Sequence, residues 1–198
     1  MSKIYTIILA GGRSTRFGSP KPFLKFDGKL TFLEKLVDVY NEFGCENIVT
    51  VLNQSYYELF VRLYPESFRS KMNLVYNSKS ELGRFYSLTL GSSLVSDADY
   101  CFIQNIDNPF TDLVTLRKLY NSRRDDSYIS PVNQNKGGHP ILIPKLIIDK
   151  INKETDKDLN TKVFLNQFSK ITVEVLNEKI FANINSHEDY ADYFKTNN

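Results

Sequence analysis

The chain has 198 residues, of which 41% are hydrophobic and 24% are charged, and these values are typical of a soluble globular protein. Its 25 basic and 23 acidic side chains leave a net charge of +2, so no overall field favours nucleic acid or a membrane as a partner. Cys45 and Cys101 lie far apart and have no cysteine or histidine nearby, which indicates free thiols in a reducing compartment. The first hydrophobic run is too short to cross a bilayer, and we expect a cytoplasmic protein.

Short hydrophobic runs alternate with amphipathic segments of helical length over the first 133 residues. This alternation predicts βαβ units around a mostly parallel sheet. The strands are predicted over residues 4–9, 47–52, 73–77, 99–106 and 128–132. Their near-continuous hydrophobicity favours strands that are covered on both faces. We therefore expect an α/β protein with a Rossmann-like, three-layer α/β/α fold.

Capping residues mark the predicted helices. Thr31 and Glu34 form an S/T-x-x-E capping box, and Gly44 supplies a C-terminal stop for the same helix. Further helices are predicted over 55–65, 82–94 and 112–122.

The pattern changes after residue 133. A glycine-bearing turn precedes a short strand over 141–144, a helix over 145–151 and a second helix near 161–168. A strand pair is predicted over 170–176 and 179–185, and a closing helix begins after Ser186 as its N-cap. No linker or repeat divides the sequence, so we expect one domain over residues 1–198.

A glycine-rich, basic loop follows the first predicted strand. The segment IILAGGRSTRFGSPKPFL places Gly11 and Gly12 before Arg13, Arg16 and Lys21. Backbone N–H groups beside guanidinium and ammonium groups can bind a polyphosphate. Neither the Walker A spacing nor the Rossmann G-x-G-x-x-G spacing fits this loop. The alternative is a surface loop whose cations are only solvated.

Asp107 comes directly after the hydrophobic run 99–106. We therefore expect it at the carboxyl end of a strand, on the same sheet edge as the basic loop. A carboxylate that faces a triphosphate is suited to Mg²⁺, which prefers oxygen ligands together with substrate phosphates. Asp112, in contrast, fits the role of a helix cap.

These segments resemble the MobA-like NTP transferases. The likeness covers nearly the whole chain and rests on LAGGRSTRFGSPKPFL (9–24), GRFYSL (83–88), IDNPF (106–110), KGGHPILI (136–143) and NINSHEDY (183–190). It implies a fold of the nucleotide-diphospho-sugar transferase type. It also implies a Mg²⁺-dependent nucleotidyltransferase, in which a phosphorylated small-molecule acceptor attacks an NTP and pyrophosphate leaves.

The resemblance also implies roles for individual residues. The catalytic residues would be Arg16, Lys21 and Asp107, which act by positioning and by neutralising phosphate charge, without a side-chain nucleophile. Mg²⁺ would be held by Asp107 and Asn185, and the latter stands where many relatives have a second aspartate. The expected nucleotide-binding residues are Leu9, Ala10, Gly11, Gly12, Arg13, Ser14, Arg16, Lys21, Asn77, Gly83 and Ser87. The expected acceptor-binding residues are Lys136, Gly138 and His139.

The sequence leaves donor and acceptor open. Transfer of CMP or GMP to an acceptor such as molybdopterin is favoured. The alternatives are cytidylyl or uridylyl transfer to a sugar, polyol or alcohol phosphate, and a non-catalytic nucleotide-binding regulatory module. A dinucleotide-dependent oxidoreductase is disfavoured because VLNQ, not an acidic residue, ends the second strand. We expect a monomer or homodimer that binds neither nucleic acid nor membrane.

Overall fold

The computed structural model describes residues 2–12 and 17–194. These residues form one eight-stranded sheet. The strands, in chain order, are β1 (Ile4–Leu9), β2 (Asn47–Asn53), β3 (Asn73–Asn77), β4 (Tyr100–Asn105), β5 (Ser127–Asn133), β6 (Lys136–Gly137), β7 (Ile141–Pro144) and β8 (Ser169–Glu174).

The sheet is mostly parallel. Its order is β3-β2-β1-β4-β7-β5-β6, and β8 pairs with β5. The pairs β1–β2, β2–β3, β1–β4 and β5–β8 are parallel, whereas β7 runs antiparallel to β4 and β5. Leu9 stands opposite both Val51 and Asn105. The carboxyl ends of the three central strands therefore meet at one edge of the sheet.

Helices cover both faces of the sheet. They are α1 (Phe32–Phe43), α2 (Gln54–Leu63), α3 (Glu66–Arg69), α4 (Gly83–Ser92), α5 (Leu113–Asn121), α6 (Lys145–Lys153), α7 (Thr161–Leu165) and α8 (His187–Phe194). One hydrophobic cluster joins the sheet to α1, α2, α5 and α8. A second cluster joins the opposite face to α4, α6 and α7. The predicted three-layer α/β/α architecture is confirmed.

Local capping signals give the expected helix boundaries. Thr31 Oγ1 accepts from the backbone N–H of Glu34, whose carboxylate accepts from the backbone N–H of Thr31, and Gly44 ends α1 at φ 96°. Asp112 caps α5. Ser186 accepts from the backbone N–H of Asp189 at the start of α8.

The predicted strand over 179–185 is wrong. Residues 178–181 form a turn, and 182–185 pair with no strand. The backbone groups of this segment bond to loops instead: the carbonyl of Ile180 accepts from His139 and Asn108, and the N–H of Ile184 donates to the carbonyl of Asp107. Its hydrophobic residues are buried in these contacts, which explains why the segment resembles a strand. We call residues 178–186 the closing segment.

Across residues 2–12 and 17–194, no helix combines the length and the hydrophobicity that crossing a membrane requires.

Candidate active site

A cavity of about 260 Å³ opens at the carboxyl ends of β1 and β4, beside the start of α4. We call it the edge cavity. The residues that line it are Leu9, Gly11, Gly12, Lys21, Ser80, Gly83, Arg84, Ser87, Asn105, Ile106 and Asp107. Parallel α/β sheets bind ligands at this position, where the loops that follow the strands converge.

The start of the basic loop is held close to β2. Asn53 caps α2 through its side-chain oxygen, and its Nδ2 donates to the carbonyl of Gly11 over 3.2 Å. A Cβ atom at Gly11 would lie 3.4 Å from the backbone nitrogen of Asn53, which is an ordinary van der Waals distance. Gly12 is exposed beside the cavity. Arg13, Ser14 and Arg16, for which we predict phosphate contacts, lie outside the described residues.

Lys21 joins the basic loop to the two predicted metal ligands. Its side chain is 11% exposed, and its Nζ lies 2.8 Å from Oδ1 of Asn185 and 4.0 Å from Oδ2 of Asp107. The short helical turn Lys21–Phe23 carries the residue. A single cation therefore stands between an amide oxygen from the closing segment and a carboxylate from the end of β4.

Asp107 is held by its backbone and leaves a carboxylate oxygen available. Its carbonyl accepts from Ile184 over 2.7 Å, while its Oδ1 is buried without a hydrogen-bond partner among the described residues. The preceding Gln104 stabilises this turn, because its Nε2 donates to the carbonyls of Asn105 and Asn108. An unpartnered buried carboxylate oxygen has a desolvation cost that a bound cation would offset.

The start of α4 forms another wall of the edge cavity. Gly83 adopts φ 83°, a backbone conformation that glycine favours. Ser87 faces the cavity and accepts a 2.9 Å hydrogen bond from Nδ2 of Asn77. Asn77 is itself buried and outside the cavity lining, so it orients Ser87.

His139 lies partly buried between β4 and the closing segment. Its Nε2 lies 2.7 Å from Nδ2 of Asn105, and its Nδ1 lies 3.4 Å from the carbonyl of Ile103. Burial and the nearby charge of Arg84 lower the pKa of His139 to about 4. The imidazole is therefore neutral near pH 7.

The three predicted acceptor residues do not line the edge cavity. Lys136 is exposed, and its ammonium lies over the ring of Phe181 at 4.9 Å from the centroid. Gly138 packs so closely on the closing segment that a Cβ would lie 2.0 Å from the carbonyl oxygen of Ile180. His139 reaches the cavity only through Asn105.

The structure brings together many of the predicted nucleotide and metal residues. Leu9, Gly11, Gly12, Lys21, Gly83, Ser87 and Asp107 line the edge cavity. Asn185 joins them through Lys21, whereas Ala10 is buried in the hydrophobic core.

Three polar residues of the edge cavity are not among the site residues predicted from the sequence. Ser80, Arg84 and Asn105 all line it. Arg84 follows the predicted Gly83 directly, so its place at a glycine turn is the signal that could have found it. Asn105 is an unusual polar residue before Asp107, and this is a comparable signal.

Protein oxygen donors for a cation are few at this site. No group of three or more His, Cys, Asp or Glu side chains that could hold a metal occurs in the part of the chain that the structure describes. Asp107 supplies a carboxylate and Asn185 an amide oxygen, and Mg²⁺ completes its coordination with water and substrate phosphates in such sites. The unpartnered Oδ1 of Asp107 and the cation already between both side chains fit a divalent cation.

Comparison with known proteins identifies the family. Residues 6–171 match the sequence model of the MobA-like NTP transferase domain. The chain is 30% identical over 145 residues to the molybdenum cofactor cytidylyltransferase of Escherichia coli (strain K12). The matched region covers 73% of this chain and 72% of that protein. It is 43% identical over 56 residues to a probable molybdenum cofactor guanylyltransferase of Geobacillus sp. (strain WCH70). This match covers 28% of this chain and 24% of that protein.

Solved structures share the fold. Rv0371c from Mycobacterium tuberculosis H37Rv has a TM-score of 0.79 and 19% identity, with 98% of both chains covered. A complex of that protein with manganese has a TM-score of 0.75 and 18% identity, with 98% of this chain and 100% of that chain covered. The family match, together with an edge cavity built from the family's motifs, leads to one conclusion: the chain belongs to the MobA-like NTP transferases and is a nucleotidyltransferase.

Proposed function

We propose that the enzyme transfers CMP or GMP from the corresponding NTP to a phosphorylated small molecule such as molybdopterin, with Mg²⁺ as cofactor. The observation that carries this proposal is the arrangement of Lys21, Asp107 and Asn185 beside the edge cavity. An ammonium and a cation site next to Gly11 and Gly12 suit a triphosphate, whose charge they would neutralise.

The reaction requires little covalent chemistry from the protein. A phosphate oxygen of the acceptor forms a bond to the α-phosphorus, the bond from that phosphorus to the α,β-bridging oxygen breaks, and pyrophosphate leaves. A phosphate monoester is largely deprotonated at neutral pH, so no general base is needed. The protein contributes by positioning the reactants and by stabilising the charge that develops on the phosphates.

Lys21 has the central role in this proposal. Its buried ammonium can stabilise the negative charge that develops on the α-phosphate, because the side chain lines the cavity. Asp107 and Asn185 would hold Mg²⁺, which when bound supplies positive charge to the phosphates. Arg13, Ser14 and Arg16 complete the phosphate site in the proposal, together with Gly11 and Gly12.

The proposed donor and acceptor rest on the named relatives. The match to the E. coli cytidylyltransferase covers the larger part of the chain, which favours CTP over GTP. Two curated relatives are molybdenum cofactor transferases by name, and this favours molybdopterin over a sugar or polyol phosphate.

Nucleotide binding is the first test. The melting temperature is measured with CTP, GTP, UTP, ATP and dTTP, each with and without MgCl₂. A ligand at about 100 times its Kd stabilises the folded state by about 2.7 kcal/mol, a shift of several degrees. We expect a metal-dependent shift with CTP or GTP, and pyrophosphate release when molybdopterin is added. The absence of a shift with all five nucleotides would contradict the proposal.

A matched pair of variants tests the metal site. Asp107→Asn should abolish turnover while preserving the fold, because the amide has the same shape and only the charge is lost. Asp38 lies on α1 and forms an exposed ion pair with Lys71. Asp38→Asn alters this pair and should leave turnover unchanged. Near-normal activity in Asp107→Asn would remove this carboxylate from the mechanism.

A further inference from the structure

The side chain of Asn105 has an unsatisfied acceptor at the edge cavity. The residue is 4% exposed, it lines the cavity, and its Oδ1 is buried with no hydrogen-bond partner among the described residues. Buried polar atoms are normally hydrogen-bonded, so an exception beside a ligand cavity indicates a partner that arrives with the ligand.

The neighbouring histidine fixes the orientation of this amide. A neutral imidazole carries one N–H. The backbone carbonyl of Ile103 can only accept, so Nδ1 of His139, 3.4 Å away, holds the proton. Nε2 is then an acceptor, and the Nδ2 group of Asn105 donates to it over 2.7 Å. The opposite amide orientation would leave His139 without this hydrogen bond, so Oδ1 is the amide atom that has no partner among the described residues.

The chemistry of Oδ1 restricts what it can bind. An amide oxygen only accepts hydrogen bonds, and phosphate oxygens of an NTP offer none at neutral pH. The group bound by Asn105 must therefore be a donor such as a hydroxyl or an N–H.

The position of Asn105 favours a hydroxyl near the phosphates. It stands opposite Leu9 in the sheet. Leu9 itself comes two residues before Gly11 of the basic loop. Its neighbour Ile103, on the same face of β4, packs in the cluster that contains α4, and α4 supplies Gly83 and Ser87 to the cavity. The ribose of an NTP lies next to the triphosphate, whereas the base lies farther away.

We propose that Asn105 binds a ribose hydroxyl of the nucleotide through Oδ1, and that His139 is the positioning residue that orients this amide. This inference rests on the proposed function, because it concerns the NTP at the same cavity. It gives two residues a role in distinguishing ribonucleotides from deoxynucleotides. The neutral state of the imidazole above its depressed pKa keeps the orientation constant near pH 7.

The test compares Kd values for CTP, GTP and their 2′-deoxy and 3′-deoxy analogues by calorimetry in the presence of Mg²⁺. In the unmodified enzyme, loss of the bound hydroxyl should weaken binding by about 5- to 100-fold, because it leaves a buried acceptor unpaired. Asn105→Leu, which has a similar volume and no acceptor, should bind the ribonucleotide more weakly and lose most of the discrimination. Equal discrimination in both proteins, or none in the unmodified enzyme, would overturn the proposal.

Two variants of His139 separate positioning from general stability. His139→Phe keeps a buried ring but removes the acceptor, and should reduce the discrimination. His139→Gln restores an acceptor oxygen for Nδ2 and should recover part of it. Full discrimination in His139→Phe would remove the positioning role. If the unmodified enzyme bound no NTP, the proposed function would fail as well; if it bound NTP but Asn105→Leu discriminated normally, only the present inference would fail.

Discussion

The ammonium of Lys21 lies 2.8 Å from Oδ1 of Asn185, a residue 164 positions later in the sequence. It also lies 4.0 Å from Oδ2 of Asp107. The lysine therefore occupies the space between the two proposed metal ligands. A divalent cation and this ammonium would compete for the same oxygens, and an incoming triphosphate would give Lys21 another anionic partner.

Removing the Lys21 ammonium should therefore strengthen metal binding in the absence of nucleotide. We expect Lys21→Met to bind Mn²⁺ about 5- to 10-fold more tightly, since a positive charge at about 4 Å is lost. Titration followed by the electron paramagnetic resonance of free Mn²⁺ measures this affinity. Lys25→Met is the control, because that ammonium donates to the carbonyl of Lys29. Unchanged or weaker binding in Lys21→Met would contradict the competition.

Gly138 should tolerate no side chain. A Cβ there would lie 2.0 Å from the carbonyl oxygen of Ile180, whereas a Cβ at Gly137 would meet only the carbonyl oxygen of Pro131 at 4.0 Å. We expect Gly138→Ala to lower the free energy of unfolding by about 2 kcal/mol or more, because the closing segment must shift. Gly137→Ala is the control and should cost less than about 1 kcal/mol. Urea denaturation measures both values, and equal effects would contradict this packing.

The buried imidazole should make stability depend on pH. The pKa of His139 is lowered from its usual 6.5 to about 4, so between these values the unfolded chain binds a proton that the folded chain does not. The contribution is fully present above pH 6.5 and is lost as the pH falls towards 4. His139→Gln should show a shallower decline than the unmodified protein over this range. Identical urea midpoints at each pH in both proteins would contradict the neutral state.

Both thiols should be unreactive in the folded protein. Burial raises the pKa of Cys45 to about 12 and raises the pKa of Cys101 well above its usual value. Because the thiolate is the reactive form, Ellman's reagent at pH 8 should modify neither cysteine before unfolding, and both in urea. Rapid modification of either cysteine without denaturant would show that the folded protein opens around that residue.

The elements that depend on neighbouring residues could be predicted from the sequence. The capping box of Thr31 and Glu34 is local, and α1 begins and ends where the signals predict. The closing segment shows the limit of such reasoning. Its hydrophobic pattern predicted a strand, but Ile180 and Ile184 form hydrogen bonds with loops that lie far away in the sequence.

Part of the candidate site could be predicted from the sequence for the same reason. Gly11, Gly12 and Asp107 follow hydrophobic strands, so their position at the sheet edge could be derived from the pattern. The contact between Lys21 and Asn185 could not, because it depends on how the closing segment folds back. Arg84 likewise lines the edge cavity only because α4 packs against β1 and β2.

The backbone hydrogen bond from Ile184 to Asp107 has a consequence for folding. The basic loop follows β1, but Asn185 is synthesised 164 residues after Lys21. A nascent chain can thus form the central parallel strands before it can form the cation site. The proposed cation site therefore requires the closing segment, and a chain arrested before this segment would lack it.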